Sequence, residues 1–283
     1  MRTGVQQARR CVDVVADLTL LWGAARFLAP RLDLAGRLAL STRLAHRTLA
    51  TLGVHVTRSG ETPRADEPVL VVANHVSWLD VYLLNACRPM RFVAKAETRG
   101  WPIIGTIARR FDSIFIVRGS CRDAGRVKTR VTEALSAGQS VAVFPEATTS
   151  DGHRVKPFFA AMFQAAIDAG ARVLPAAIRY PGPDGRPNPA AAFIDDMTFG
   201  GSLLRVMREP WLRAEIRFGT PLAATGRSRR ELAAAARAVI VDALALPASA
   251  ALAPPERVRR KPPWRGRGLS RPMAGRRPSY ALS

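Results

Sequence analysis

Val69-Leu70-Val71-Val72-Ala73-Asn74-His75-Val76-Ser77-Trp78-Leu79-Asp80 is the stretch whose reading decides the fold. Its first five residues are all apolar and three are valine, the pattern of a buried strand. Asn74 and His75 close that run, and a helix is expected to start near Ser77. A buried strand that leads straight into a helix opens a βα unit. The alternation continues outward from there. Further strands are expected at 91–94, 113–117, 140–144, 173–178 and 214–218, each short and rich in valine, isoleucine or other apolar residues. Helical faces lie between them. Ala124, Val127, Val131, Ala134 and Leu135 share one face of 121–137, and Phe158, Phe159, Met162, Phe163, Ala166 and Ile167 share one of 157–169. Leu232, Ala236, Val239, Ala243 and Leu246 do the same over 229–246. Together these predict an α/β fold: an αβα-type layered domain around a largely parallel sheet, spanning about 61–246. Sites in such sheets gather at the carboxyl ends of strands.

The flanks read differently. Residues 1–60 predict two helices. The segment from Val14 to Ala29 is apolar but carries Asp17 and Arg26, and its uncharged core from Leu18 to Ala25 is far shorter than the roughly 20 residues a spanning helix needs. The next helix, from about Asp33 to Leu52, is amphipathic, with Leu34, Leu38, Ala45, Leu49 and Leu52 on one face and Arg43 and Arg47 opposite. An apolar helix beside a basic amphipathic one suits the surface of an anionic bilayer, so this pair is expected to lie in the membrane interface. Residues 247–283 turn Ala/Pro-rich and then Arg/Pro/Gly-rich, a composition that cannot bury a core and predicts disorder.

The 283 residues carry 43 Lys/Arg against 22 Asp/Glu, a formal net charge of +21. Folding does not require such an excess; an anionic partner would explain it. The tail from Pro254 onward holds nine Lys/Arg and one Glu, so much of the charge lies outside the folded part. The three cysteines and four histidines show no metal-ligand spacing and suggest free thiols in a reducing compartment. Zinc-finger and RRM signatures are absent, which argues against specific nucleic-acid binding.

The chemistry centres on His75 and Asp80. A carboxylate five residues on, about one helical turn in, can reach back to one imidazole nitrogen and fix its tautomer. The other nitrogen can then take a proton from a hydroxyl. None of the other three histidines has Asp at that spacing. Three more blocks follow in order: Ser113-Ile114-Phe115-Ile116-Val117-Arg118, then Phe144-Pro145-Glu146-Ala147-Thr148-Thr149-Ser150, then Val173-Leu174-Pro175-Ala176-Ala177-Ile178. Phe92-Val93-Ala94-Lys95-Ala96-Glu97 and Trp101 to Gly105 lie between the first two.

In order and spacing, 65–225 resembles the glycerolipid acyltransferase family, which includes 1-acyl-sn-glycerol-3-phosphate acyltransferases. That resemblance implies acyl transfer from a thioester, on acyl-carrier protein or coenzyme A, to the hydroxyl of a lysophospholipid. The first acceptor it implies is 1-acyl-sn-glycerol-3-phosphate. It implies His75 as general base, Asp80 as its orienting partner and no cofactor or metal. Asn74 of the first block would contact the substrate. Arg118 would hold an acceptor phosphate with Lys95 assisting, and Glu146, Thr148 and Thr149 would meet the acceptor's polar part. Pro175 would shape the sheet end near the donor. A peripheral or monotopic place on the cytoplasmic face of the inner membrane follows from the same resemblance. Two residues depart from the family pattern. Ala147 stands where glycine is usual, and a positive φ there would cost about 1 kcal/mol or more. Thr149 stands where many phosphate-using members carry arginine. Thr148-Thr149-Ser150-Asp151-Gly152 is similar to the branch that acylates lyso-ornithine lipids, which makes that lipid the alternative acceptor.

Overall fold

Strand β2, Val69–Ala73, sits in the middle of the sheet, and its side chains alternate between two apolar layers. Val69, Val71 and Ala73 enter one layer, while Leu70 and Val72 enter the other. Period-two alternation on a strand buried on both faces is what an αβα sandwich demands. The computed structural model describes residues 4–61, 63–64, 66–101, 103–117 and 121–245. Arg118 and the tail beyond 245, including its expected disorder, lie outside the described residues.

In chain order the elements are α1 (Gly4–Gly23), α2 (Leu34–Thr51), β1 (Val54–Gly60), β2, α3 (Leu79–Cys87), β3 (Arg91–Lys95), α4 (Ile104–Arg110) and β4 (Ile114–Ile116). They continue with α5 (Cys121–Ser136), β5 (Val141–Val143), α6 (Phe163–Asp168), β6 (Arg172–Arg179), α7 (Phe199–Arg208), β7 (Leu212–Phe218) and α8 (Arg229–Ala243). The seven strands form one sheet in the order β1-β7-β6-β2-β5-β3-β4. Every neighbouring pair is parallel except β6 with β7. The first layer packs α1, α2, α3 and α7 residues such as Val14, Leu49, Leu83 and Val206 on one face. The second packs α5, α6 and α8 through Val127, Val131, Phe163, Leu232 and Ala236 on the other. The fold is thus the layered, largely parallel α/β architecture expected.

Three elements escaped the sequence reading. Residues 54–60, grouped with the N-terminal helices, form strand β1, paired in parallel with β7. Only Val54 of that strand is buried, because β1 is an edge strand exposing His55, Thr57, Arg58 and Ser59; without an apolar alternation it gives no strand signal. Helices α4 and α7 are short and were likewise not assigned. In α4 the approach to the preceding turn is close: a Cβ on Gly105 would stand 2.4 Å from the Arg99 carbonyl oxygen, so only glycine fits.

The two N-terminal helices are packed into the domain. Arg10 of α1 is buried and donates to the carbonyls of Met207 (3.1 Å), Glu209 and Leu52, satisfying the ends of α7 and α2. Asp17 is also buried, accepting from Arg47 Nε at 2.8 Å and the Thr48 hydroxyl at 2.7 Å. Val14 between these charges and Leu21 one turn beyond them enter apolar clusters.

Ala147 has φ of 59°, the left-handed region that disfavours a Cβ. The loop after β5 therefore takes at Ala147 a conformation that glycine would adopt without strain. Ala147→Gly is expected to raise stability by about 1 kcal/mol, or ~2–4 °C in melting temperature. Thermal denaturation of the two proteins checks this; an unchanged or lower midpoint would contradict the strain.

Candidate active site

The carboxyl ends of β2, β5, β3 and β6 meet on one edge of the sheet because all four run parallel. At the end of β2, Asn74 is buried. Its side-chain nitrogen donates to the Ile178 carbonyl at 2.8 Å, and its oxygen accepts the Ile178 N–H at 2.8 Å. Both ends of the amide are engaged by the backbone of β6. The expected contact with substrate is replaced by a positioning place: Asn74 locks the end of β2 to the neighbouring strand just before His75.

His75 Nδ1 lies 2.8 Å from Asp80 Oδ2. The same oxygen accepts the N–H groups of Val76 at 2.7 Å and Ser77 at 2.9 Å, so it acts as an acceptor and the imidazole proton belongs on Nδ1. Nε2 is then the basic nitrogen. Asp80 occupies the first turn of α3, where a carboxylate is favoured by the helix N-terminus. Asp80 is 0% exposed and the His75 side chain 18%: the carboxylate is sealed off while the imidazole keeps some exposure. The Phe144 ring stacks on the imidazole, centroids 3.9 Å apart and planes 14° from parallel. This fixes the ring plane as the carboxylate fixes its edge.

A residue the sequence reading missed completes the carboxylate. The Tyr180 hydroxyl donates to Asp80 Oδ1 at 2.6 Å. Burial, reinforced by the Asp80 charge, pushes this phenol well above its ordinary value, so it stays protonated as a donor. Tyr180 lies one hundred residues from Asp80 in sequence, and only the pairing of β2 with β6 joins them.

Glu146 is 3% exposed and clamps two loops. Oε1 accepts the His75 N–H at 2.8 Å and Oε2 the Lys156 N–H at 2.8 Å. The His75 carbonyl in turn accepts from the Ser150 N–H at 2.8 Å. Glu146 thus serves the backbone around His75, where the sequence reading placed it on the acceptor. The Thr149 hydroxyl donates to the Phe193 carbonyl, and its own carbonyl accepts from Lys156 Nζ at 3.1 Å. Phe193 N–H donates to the Val76 carbonyl at 2.9 Å. Thr149 is therefore a tie between loops, and Thr148 beside it is exposed. Lys95 is exposed at the end of β3, opposite Ile116 of β4 and two positions short of Arg118. Pro175 is buried in mid-strand, opposite Val72, with its carbonyl accepting the Gly219 N–H at 2.9 Å. It sits within the sheet, away from the strand ends where His75 emerges. Within the described residues no group of three or more His, Cys, Asp or Glu could hold a metal.

Burial pushes the Glu146 carboxyl up to about 7, against the pull of the Lys156 and His75 N–H donors. Its ordinary value is 4.5, so between these two values the folded chain holds more protons than the unfolded one. The sign follows: stability is fullest below about 4.5 and falls as pH rises through about 7. Relative to Glu146→Gln, the wild type is expected to lose up to about 3 kcal/mol between pH 4.5 and 8. Melting temperatures of both proteins across that range test it, and parallel curves would exclude it.

Comparison with known proteins agrees with this geometry. A family model described as Acyltransferase matches residues 54–179, from β1 through β6. Lyso-ornithine lipid O-acyltransferase of Pseudomonas aeruginosa is 39% identical over 198 residues, covering 70% of this chain and 75% of that protein. The 1-acyl-sn-glycerol-3-phosphate acyltransferase of Neisseria meningitidis serogroup B is 44% identical over 137 residues, covering 48% and 54%. Among solved structures, the 1-acyl-sn-glycerophosphate acyltransferase PlsC from Thermotoga maritima superposes with a TM-score of 0.62 at 22% identity, over 85% of this chain and 95% of that one, a likeness of fold. With the His75–Asp80 pair at the carboxyl edge of a parallel sheet and relatives matched over three quarters of their length, the chain belongs to the acyltransferase family.

Proposed function

We propose that the protein transfers a fatty acyl group from an acyl-carrier-protein or coenzyme A thioester to the hydroxyl of a membrane lysolipid. The observation that carries this is the His75 imidazole, bound through Nδ1 to a fully buried carboxylate while its own side chain stays 18% exposed. His75 Nε2 takes the proton of the acceptor hydroxyl as its oxygen attacks the thioester carbonyl. The tetrahedral intermediate collapses, the thiolate leaves and the proton passes to it. Asp80 stabilises the imidazolium formed on the way. No serine or cysteine side chain hydrogen-bonds the imidazole among the described residues, so the acceptor attacks directly.

Two acceptors share this chemistry. Lysophosphatidate is supported by the arginine that ends the block 113–118 in the sequence and by the exposed Lys95, two cations of the kind that bind phosphate. Lyso-ornithine lipid is supported by Thr149, which replaces a phosphate-binding arginine with a hydroxyl already engaged on Phe193. The relatives matched over the greater lengths also act on lyso-ornithine lipid by name. We take lyso-ornithine lipid as the preferred acceptor and lysophosphatidate as the second reading.

The membrane place is proposed from an inversion in α1. This helix buries its charged Arg10 and Asp17 and exposes Val12, Val15, Leu20 and Trp22; Phe27 and Leu28 are exposed just after it. These outward apolar residues, set among the exposed charges Arg9, Asp13 and Arg26, suit insertion into the bilayer interface, at the cytoplasmic face of the inner membrane. No helix among the described residues is long and apolar enough to cross a membrane.

The purified protein with palmitoyl-coenzyme A or palmitoyl-carrier protein is expected to acylate lyso-ornithine lipid faster than lysophosphatidate. His75→Ala should lower the rate by about 10²–10⁴-fold, measured by radiolabelled product; full activity in that variant would sink the mechanism. Val15→Glu with Phe27→Glu should weaken cosedimentation with anionic phosphatidylglycerol vesicles. Neither residue belongs to the core, so the fold should persist, and unchanged sedimentation would refute the interfacial role of α1.

A further inference from the structure

We infer that Tyr180 is a positioning residue for acyl transfer, its buried hydroxyl holding the Asp80 carboxylate in the orientation and charge state that make His75 a base. The inference rests on the reading of His75 as general base. Of the four hydrogen bonds to Asp80, three arrive at Oδ2 from its own turn: His75 Nδ1 and the N–H groups of Val76 and Ser77. Among the described residues, Tyr180 alone donates to Oδ1. The carboxylate is 0% exposed, so bulk water cannot take over that oxygen. With one oxygen held, the group can still tilt about it; with both held, its plane is set and with it the line from Oδ2 to the imidazole.

Charge follows geometry. The titratable groups facing Asp80 are His75 from its own turn, Tyr180 from beyond β6 and Glu146 from the loop after β5. Ionised Glu146 opposes the Asp80 charge, whereas the Tyr180 hydroxyl supports it. Removing the hydroxyl leaves a buried anionic oxygen without its donor and favours the state with one more proton on the His75–Asp80 pair. The pair then holds that proton more tightly. Less free base is then present at a given pH, and the ascending limb of the rate profile moves to higher pH. With Tyr180 only 2% exposed, its effect acts through Asp80 and belongs in kcat, leaving KM nearly unchanged.

The test compares wild type with Tyr180→Phe, which keeps the ring in the core, using palmitoyl-coenzyme A with lyso-ornithine lipid and with lysophosphatidate. Expected are a fall in kcat of about tenfold or more, a KM within about twofold, and an alkaline shift of the limb by about one unit. The His75 resonance, assigned in ¹⁵N-histidine protein by its loss in His75→Ala, should titrate with the same shift, which separates it from Glu146. Site-specific 3-fluorotyrosine at 180 preserves the fold and strengthens the donor, so its limb should move the opposite way. A limb and a His75 titration that stay put in both variants overturn the inference. If His75→Ala is inactive while Tyr180→Phe behaves as wild type, this inference alone fails. Full activity in His75→Ala removes the base and takes this inference with it.

Discussion

A carboxylate with no exposure to solvent is tolerated only when its charge is shared among donors, and the structure is organised around Asp80 on those terms. It receives three hydrogen bonds from residues 75–77 and one from Tyr180. Meeting that requirement needs β2 to end, α3 to begin and β6 to run alongside, all within one small volume. The reciprocal Asn74–Ile178 pair and the Tyr180–Asp80 bond lie two positions apart on the β6 side. They stitch the same strand to both sides of His75. Losing either anchor would free the turn whose geometry the chemistry uses.

Two loops then close on that turn from outside, one after β5 and one after β6. Glu146 joins it to Lys156, Ser150 reaches the His75 carbonyl, and Phe193 reaches Val76 while accepting from Thr149. Most of these bonds end on backbone atoms, so they fix where the chain runs and leave the imidazole itself for proton transfer. Such preorganisation places a base before the substrate arrives. It also explains why side chains that look like ligands in the sequence, Glu146 and Thr149 above all, are engaged in holding loops. Ala147, at φ of 59°, shows that this loop path is kept even with a residue that disfavours it.

The first two helices belong to the same framework. Arg10 satisfies carbonyls at the ends of α2 and α7, and Asp17 ties α1 to Arg47 and Thr48. Helix α7 contributes Phe199 and Ser202 to the surroundings of Trp78, three residues beyond His75. A helix that presents its apolar side outward is thereby linked through packed elements to the catalytic turn. On the proposed reading this holds the site at a set height over the lipid surface that carries its acceptor.

Much of this was legible without coordinates where it depends on local pattern. The alternation in Val69–Ala73, the faces of α5 and α8, and the five-residue step from His75 to Asp80 are short-range features, and they dictated the layered sheet and its acid–base pair. Edge strand β1 was not legible, because an exposed strand carries no apolar period. Nor was Tyr180, whose partner lies one hundred residues away and is reached only through the order of the sheet. The sequence by itself therefore determined the buried central strands, the amphipathic helices α5 and α8, and which histidine has a carboxylate one helical turn away. Only the tertiary structure decided that polar groups such as Asn74, Glu146 and Thr149 are consumed in holding the turn. Strand order and loop contacts set those partners, and neither has a local period to read.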